Sequence, residues 1–217
     1  PQAAAPTRAL GSYRSHTYQN GILTIRSTDG ATLRVRPWAE GVVRVEFFPV
    51  GQTVAEMASV SVVQAPATGR SAQSAVRDTR AALEWPTDPT TTVIIQKNPL
   101  RVSYRRGSET LTAEAGGAFQ QLGRAGGAGV SFRLSPDERL YGTGSRALPL
   151  DRRGRRLTLY NEAHYSYQNG EPTLNVSLPT VVSSRGYMLF FDNHTAGTLD
   201  LGATDRNTLE YRGEGLT

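Results

Sequence analysis

Residues 91–104 read TTVIIQKNPLRVSY. β-branched residues crowd Thr91–Gln96, a second alternating run fills Leu100–Tyr104, and the turn formers Asn98 and Pro99 part them. Two short strands joined by a turn are the simplest reading of that stretch. The pattern recurs on both sides. Upstream, Tyr18–Ile25 (YQNGILTI) carries an Asn-Gly turn before alternating apolar residues, a hairpin signal. Ala31–Val35 alternates again, and Gly41–Phe48 (GVVRVEFF) sets Arg44 and Glu46 opposite its apolar face. Downstream, strands are predicted at Val130–Leu134, Arg156–Tyr160, Leu174–Leu178, Thr180–Ser183, Tyr187–Asp192, Thr198–Leu201 and Leu209–Tyr211. Short strands at this spacing, with Gly, Pro, Asn and Asp between them, predict an all-β antiparallel sandwich or barrel. The best helix candidate is short, Thr53–Met57. Gln64–Arg77 and the Gly-rich Ala113–Gly129 read as surface loops.

Composition narrows the classes. The chain has 217 residues, 38% hydrophobic and 20% charged, enough for a sizeable core in one sandwich domain. No stretch reaches the roughly 18 apolar residues of a membrane span. Cysteine is absent, so disulfides and Cys–zinc sites are excluded. The start, PQAAAPTRAL, suggests a flexible segment over residues 1–15 and fits the mature end of an exported protein. A periplasmic or secreted location is therefore expected, with the cytoplasm as the alternative. Net charge is +5, yet the basic residues are nearly all arginine, with Lys97 the lone lysine. They are scattered along strands, with one cluster at Arg152, Arg153, Arg155 and Arg156. No helix-turn-helix, zinc-finger or RNP-type pattern accompanies them, so compositional bias is favoured over nucleic-acid binding. The Gly-rich stretch lacks the Gly-Lys-Ser/Thr ending of a phosphate-binding loop.

Chemistry concentrates between Asp137 and Asp200. In Leu140–Gly144 (LYGTG) the glycines let the backbone turn tightly or approach a neighbour. Tyr160–Tyr167 (YNEAHYSY) then gathers Asn161, Glu162, His164, Tyr165 and Tyr167 just past a strand end. Flat rings covering C–H faces and polar groups meeting hydroxyls are what a sugar site requires. Strand-end tyrosines also pack, and a lone histidine is commonly a satisfied surface residue, so both readings stand on residue chemistry alone. Of the two sequons, Asn175-Val-Ser177 and Asn193-His-Thr195, the second suits a turn after a strand.

Ordered motifs carry the reading further. Glu138-Arg-Leu-Tyr-Gly-Thr-Gly144, Asp151-Arg-Arg-Gly154, Tyr160-Asn161 with Tyr165 and Tyr167, Ser177-Leu-Pro179 and Gly186-Tyr-Met-Leu-Phe-Phe-Asp-Asn193 follow one another. This run resembles the N-terminal domain of glycoside hydrolase family 31, the α-glucosidases, α-xylosidases and α-transglucosylases, in its bacterial form. Upstream of about Leu134 only the strand pattern agrees. The resemblance implies a galactose-mutarotase-like β-sandwich over residues 16–217 that packs on a catalytic (β/α)₈ barrel of the same parent enzyme. It also implies a loop reaching the oligosaccharide pocket, with Asn161, Glu162, His164, Tyr165 and Tyr167 as substrate-binding candidates. The family's acidic residue two places after the Asn is Ala163 here, between Glu162 and His164. Retaining glycosidases need two carboxylates about 5–5.5 Å apart. In this family both sit on the barrel, and neither its nucleophile motif nor a barrel's β/α alternation occurs in this sequence. The chain is thus expected to be non-catalytic, with no metal or cofactor, no nucleic-acid partner and no membrane partner. The last strand, near Leu209–Tyr211, is expected at an edge or poorly covered where the barrel would sit. A free-standing carbohydrate-binding module is the alternative, and would bind sugar without a barrel. A mutarotase-like epimerase would need a facing acid and base, for which His16, His164 and His194 provide no recognisable motif.

Overall fold

In the computed structural model, the described residues are 7–54, 59, 61–63, 76–115, 119–122, 127–162 and 165–214. All regular structure among them is β, and no helix is long and apolar enough to cross a membrane. A short strand, β1 (Thr7–Ala9), opens the described chain. The chain divides into two compact units, one formed by residues 8–121 and the other chiefly by residues 122–217.

The first unit holds two sheets. One is a meander of β2 (Tyr13–Gln19), β3 (Ile22–Ser27), β4 (Thr32–Ala39) and β5 (Val42–Phe48). Asn20 and Gly21, at φ 52° and 74°, make the two-residue turn between β2 and β3 that the Asn-Gly pair predicts. The other sheet orders β10, β9, β8, β7 and β6, namely Glu109–Ala113, Leu100–Arg106, Thr91–Lys97, Ala82–Pro86 and Arg77–Asp78. The opening stretch is its β8–β9 hairpin, with Lys97 opposite Leu100 across Asn98-Pro99. Alternation places Leu23, Ile25, Leu33 and Val35 of one sheet in the core with Leu83, Trp85, Val93, Ile95 and Val102 of the other, all at zero exposure. Tyr18 meets Trp85 edge to face, with ring centroids 5.4 Å apart. On the second face of the meander, Arg34 donates to Glu46 at 2.8 and 3.0 Å.

A strand β11 (Gln120–Leu122) links the units along the chain. In the second unit β12 (Gly127–Arg133), β18 (Thr208–Gly213), β17 (Gly197–Leu201) and β14 (Arg156–Leu159) lie side by side in that order. A second sheet orders β13 (Leu140–Gly144), β15 (Ser177–Ser183) and β16 (Tyr187–Phe190). Phe191 stacks on Tyr211 at 4.4 Å and tilts against Phe132, joining these strands to the core.

Several expectations change. The last strand is not an edge: β18 lies between β12 and β17, with Leu209 and Tyr211 buried. Its alternation faces a core that this unit supplies itself. Leu174–Leu178 and Thr180–Ser183 are not two strands. A single strand, β15, begins at Ser177 and runs through Pro179. That proline lies beside the irregularity of β13 between Gly142 and Gly144, where the ladder asks for no N–H, while its carbonyl accepts from Phe191 N at 2.9 Å. The Gly-rich stretch contributes Ala113 to β10 and Gly127–Gly129 to β12. Most of Gln64–Arg77 lies outside the described residues, as do residues 55–57 of the short helix candidate, and Thr53 and Val54 are without regular structure. Residues 1–15 hold β1 and the first residues of β2, where His16 accepts or donates a 2.7 Å hydrogen bond with Tyr13.

Candidate functional site

The LYGTG strand prepares the site. Gly142 and Gly144 adopt φ of +97° and +86°, and a Cβ on them would stand 2.7 Å from Thr180 O and 2.2 Å from Val176 O. Only glycine lets β13 lie this close to β15. Arg146 follows and turns inward, 7% exposed.

Arg146 meets the loop that runs from the end of β14 to the start of β15, residues 160–176. Its Nη2 donates to Thr158 O at 3.0 Å and to Ser177 Oγ at 3.2 Å. Its Nη1 donates to Pro172 O, and Nε donates to Thr143 O at 3.0 Å. Burial, and then the neighbouring Arg152, pulls its pKa below the ordinary guanidinium value. Ser177 continues the chain of bonds: its Oγ donates to Tyr160 O at 3.0 Å, and its backbone N donates to Asn161 Oδ1 at 2.6 Å. The backbone of Ser145–Ala147 ties down the returning limb through Ser145 N to Val176 O, Gly170 N to Ala147 O and Ala147 N to Glu171 O, at 2.7–3.1 Å.

The outer part of the loop is different. Tyr160 is 56% exposed, Tyr165 87% and Tyr167 60%. Glu162 is exposed as well, and Ser166 holds φ 60° between the two tyrosines. Thus Asn161, although exposed, is tied to the base through its side-chain oxygen, whereas Glu162, Tyr165 and Tyr167 stand open to solvent on the outer part. Ala163 and the predicted site residue His164 lie outside the described residues. Arg146 was not singled out from the sequence, and Ser177 was noted only as part of a motif and a sequon. An arginine two residues past a glycine-rich strand was the one signal for Arg146, and it reads equally as a surface charge.

Glu138 is buried at the entrance to β13. Its Oε1 accepts from Ser183 Oγ at 2.6 Å and Tyr187 OH at 2.5 Å, and its Oε2 accepts from Ser135 N at 2.9 Å. Arg152 and Arg153, from the basic cluster, donate to the carbonyl oxygens of Leu148, Pro149, Ser135, Glu138 and Arg206. Asn193 Oδ1 accepts from Thr195 N and Oγ1, the turn role its position suggests. Among the described residues no three His, Asp or Glu side chains gather to hold a metal ion. A shallow depression lined by Gly127, Gly197, Thr198, Arg212, Gly213 and Glu214 lies within the second unit and includes none of the loop residues.

Antiparallel sheets with no helix among the described residues, and an anchored loop bearing exposed tyrosines, define an all-β domain. The family model for the glycosyl hydrolase 31 N-terminal galactose mutarotase-like domain matches residues 32–200, and the chain belongs to that family. It is 31% identical over 213 residues to alpha-glucosidase 2 of Bacillus thermoamyloliquefaciens, covering 94% of this chain and 26% of that protein. In fold it is similar to the Flavobacterium johnsoniae GH31 dextranase, whose mutant is complexed with isomaltotriose, at TM-score 0.85 and 18% identity over 96% of this chain and 25% of that one. The Listeria monocytogenes cycloalternan-forming enzyme, complexed with a pentasaccharide substrate, matches at TM-score 0.83 and 18% identity over 96% and 20% of the respective chains. The chain therefore spans about a quarter of the length of the curated relative. The resemblance read from the ordered motifs and the all-β sandwich fold are both borne out.

Proposed function

We propose that this domain is a non-catalytic part of a retaining α-glycoside hydrolase or α-transglucosylase, where it packs on the catalytic barrel and lends the loop 160–176 to the oligosaccharide pocket. The observation that carries this reading is the contrast within the loop: both limbs are tied to Ser177 of β15 and to residues 145–147 just past β13, yet Tyr165 is 87% exposed. A fixed base under bare rings suits a flat sugar face better than it suits a packing role. Packing on a barrel is supported separately. Leu178, Val182, Met188 and Phe190 are exposed on one face of β15 and β16, where Val182 pairs with Met188 and Thr180 with Phe190. Contiguous apolar surface of this kind marks a protein contact. The two carboxylates of the reaction then belong to the barrel.

The test is Tyr165→Ala in the intact enzyme, assayed on isomaltotriose and on a chromogenic α-glucoside. KM is expected to rise about tenfold, the loss of roughly 1.4 kcal/mol of binding, with kcat within about twofold. An unchanged KM on both substrates would remove the loop from the pocket.

A further inference from the structure

We infer that Arg146 is the positioning residue of the substrate loop, a single guanidinium that sets the spacing and direction of both limbs. This rests on the reading of residues 160–176 as a pocket loop. The geometry is specific to arginine. Four oxygens on four segments converge on one buried side chain: Thr143 O before it, Thr158 O at the end of β14, Pro172 O on the returning limb and Ser177 Oγ at the start of β15. None of these acceptors is a carboxylate. A buried cation is usually paired with an acid because desolvation is costly. Here a fan of carbonyl and hydroxyl oxygens stabilises it instead, and its planar fork of five N–H donors fits their spread. A lysine ammonium, with three donors at one point, cannot reach all four. Ser177 relays the clamp to Tyr160 O and, through its N–H, to Asn161. The first two residues of the loop therefore depend on the guanidinium at one remove. Among the described residues Arg146 touches no exposed ring, so its effect on sugar passes through the loop's position.

The experiment uses the intact enzyme with Arg146→Ala, Arg146→Lys and Tyr165→Ala. It reads amide hydrogen exchange over residues 160–177, and KM and kcat on isomaltotriose. Arg146→Ala is expected to speed exchange in that segment and raise KM about tenfold, with kcat within about twofold. Guanidinium ion at tens of millimolar should reverse part of both changes, whereas Arg146→Lys should not. Wild-type exchange across the loop in Arg146→Ala would overturn the inference. Should Arg146→Ala fail to accumulate as folded protein, Ser177→Ala decides instead. It removes one acceptor and the link to Tyr160, and should raise KM about threefold to fivefold; wild-type exchange and KM there would also overturn it. Tyr165→Ala separates the two levels. If that variant raises KM while Arg146→Ala changes neither readout, the clamp is wrong and the pocket loop stands. If Arg146→Ala loosens the loop while neither variant moves KM, the clamp stands and the pocket reading falls.

Discussion

Residues 8–121 and residues 127–214 reach the same kind of β architecture by different means. The first unit is held by an apolar core. Leu23, Ile25, Leu33, Val35, Leu83, Trp85, Val93, Ile95 and Val102 are fully buried from two facing sheets. The second unit has a core too, but much of its order comes from polar side chains that bind backbone. Glu138, Arg146, Asp151, Arg152, Arg153, Asn161 and Asp200 all bond main-chain groups there. Apolar burial is nondirectional and tolerates many shapes. A guanidinium or carboxylate aimed at particular N–H and C=O groups fixes a loop in one place. Side chains of the first unit bond backbone too, at Asp29, Asp88 and Glu114, but the unit that carries the exposed aromatic loop adds guanidiniums that donate to several carbonyl oxygens at once.

Trp85→Ala should break the first unit most severely. The side chain is fully buried and edge-on to Tyr18, so its removal is expected to cost about 3–5 kcal/mol in urea denaturation. A cost below about 1 kcal/mol would show that the core is not the unit's main support. Glu138→Ala tests the second unit. It leaves Ser135 N, Ser183 Oγ and Tyr187 OH without their acceptor, at an expected cost of about 1–3 kcal/mol. Glu138→Gln sharpens the comparison. Its single amide oxygen can still serve Ser135 N, and the two hydroxyls can reverse to accept from its NH₂, so most of the stability should return. A glutamine variant no better than the alanine one would mean that the charge, rather than the hydrogen-bond pattern, matters at that position.

The same contrast explains what the sequence disclosed. Hairpins of the first unit were legible because alternation and turn chemistry act over a few residues, as in TTVIIQ, LRVSY and the Asn20-Gly21 turn. Polar or small-residue strands hid their period. Tyr13–Gln19 (YRSHTYQ) and Glu109–Ala113 (ETLTA) carry too few apolar residues to announce a face, while Ala82–Pro86 (ALEWP) has its buried Leu83 and Trp85 in a run too short to show a period. In the second unit the family motifs were visible, but not what they do. Leu140–Gly144 read as a tight approach, and it is one, yet nothing local revealed that it is also a strand. Asn161 read as a sugar contact, while its side-chain oxygen is engaged by Ser177 N, sixteen residues on. The surplus of arginine read as composition. That reading did not reach the bonds that Arg146, Arg152 and Arg153 donate to carbonyl oxygens, whose positions only the folded chain defines.

The apolar unit buries acids as well: besides Glu46, which Arg34 pairs, it holds Glu114. Glu114 follows β10, is 1% exposed, and accepts from Val102 N at 2.7 Å. Burial pushes its pKa well above the ordinary value of 4.5, opposed by that single N–H bond. The folded chain therefore keeps a proton that the unfolded chain releases above pH 4.5. The sign follows directly: the contribution is fully present below the unfolded pKa and is lost as pH rises towards the folded one. Loss from a single proton cannot exceed about 1.4 kcal/mol per pH unit, which makes this the smallest effect per step. Glu114→Gln keeps an acceptor for Val102 N and cannot ionise. Urea denaturation of both proteins at pH 5, 6, 7 and 8 should show the variant gaining on the wild type at each step. A difference that stays constant with pH would mean that Glu114 is ionised in the folded chain.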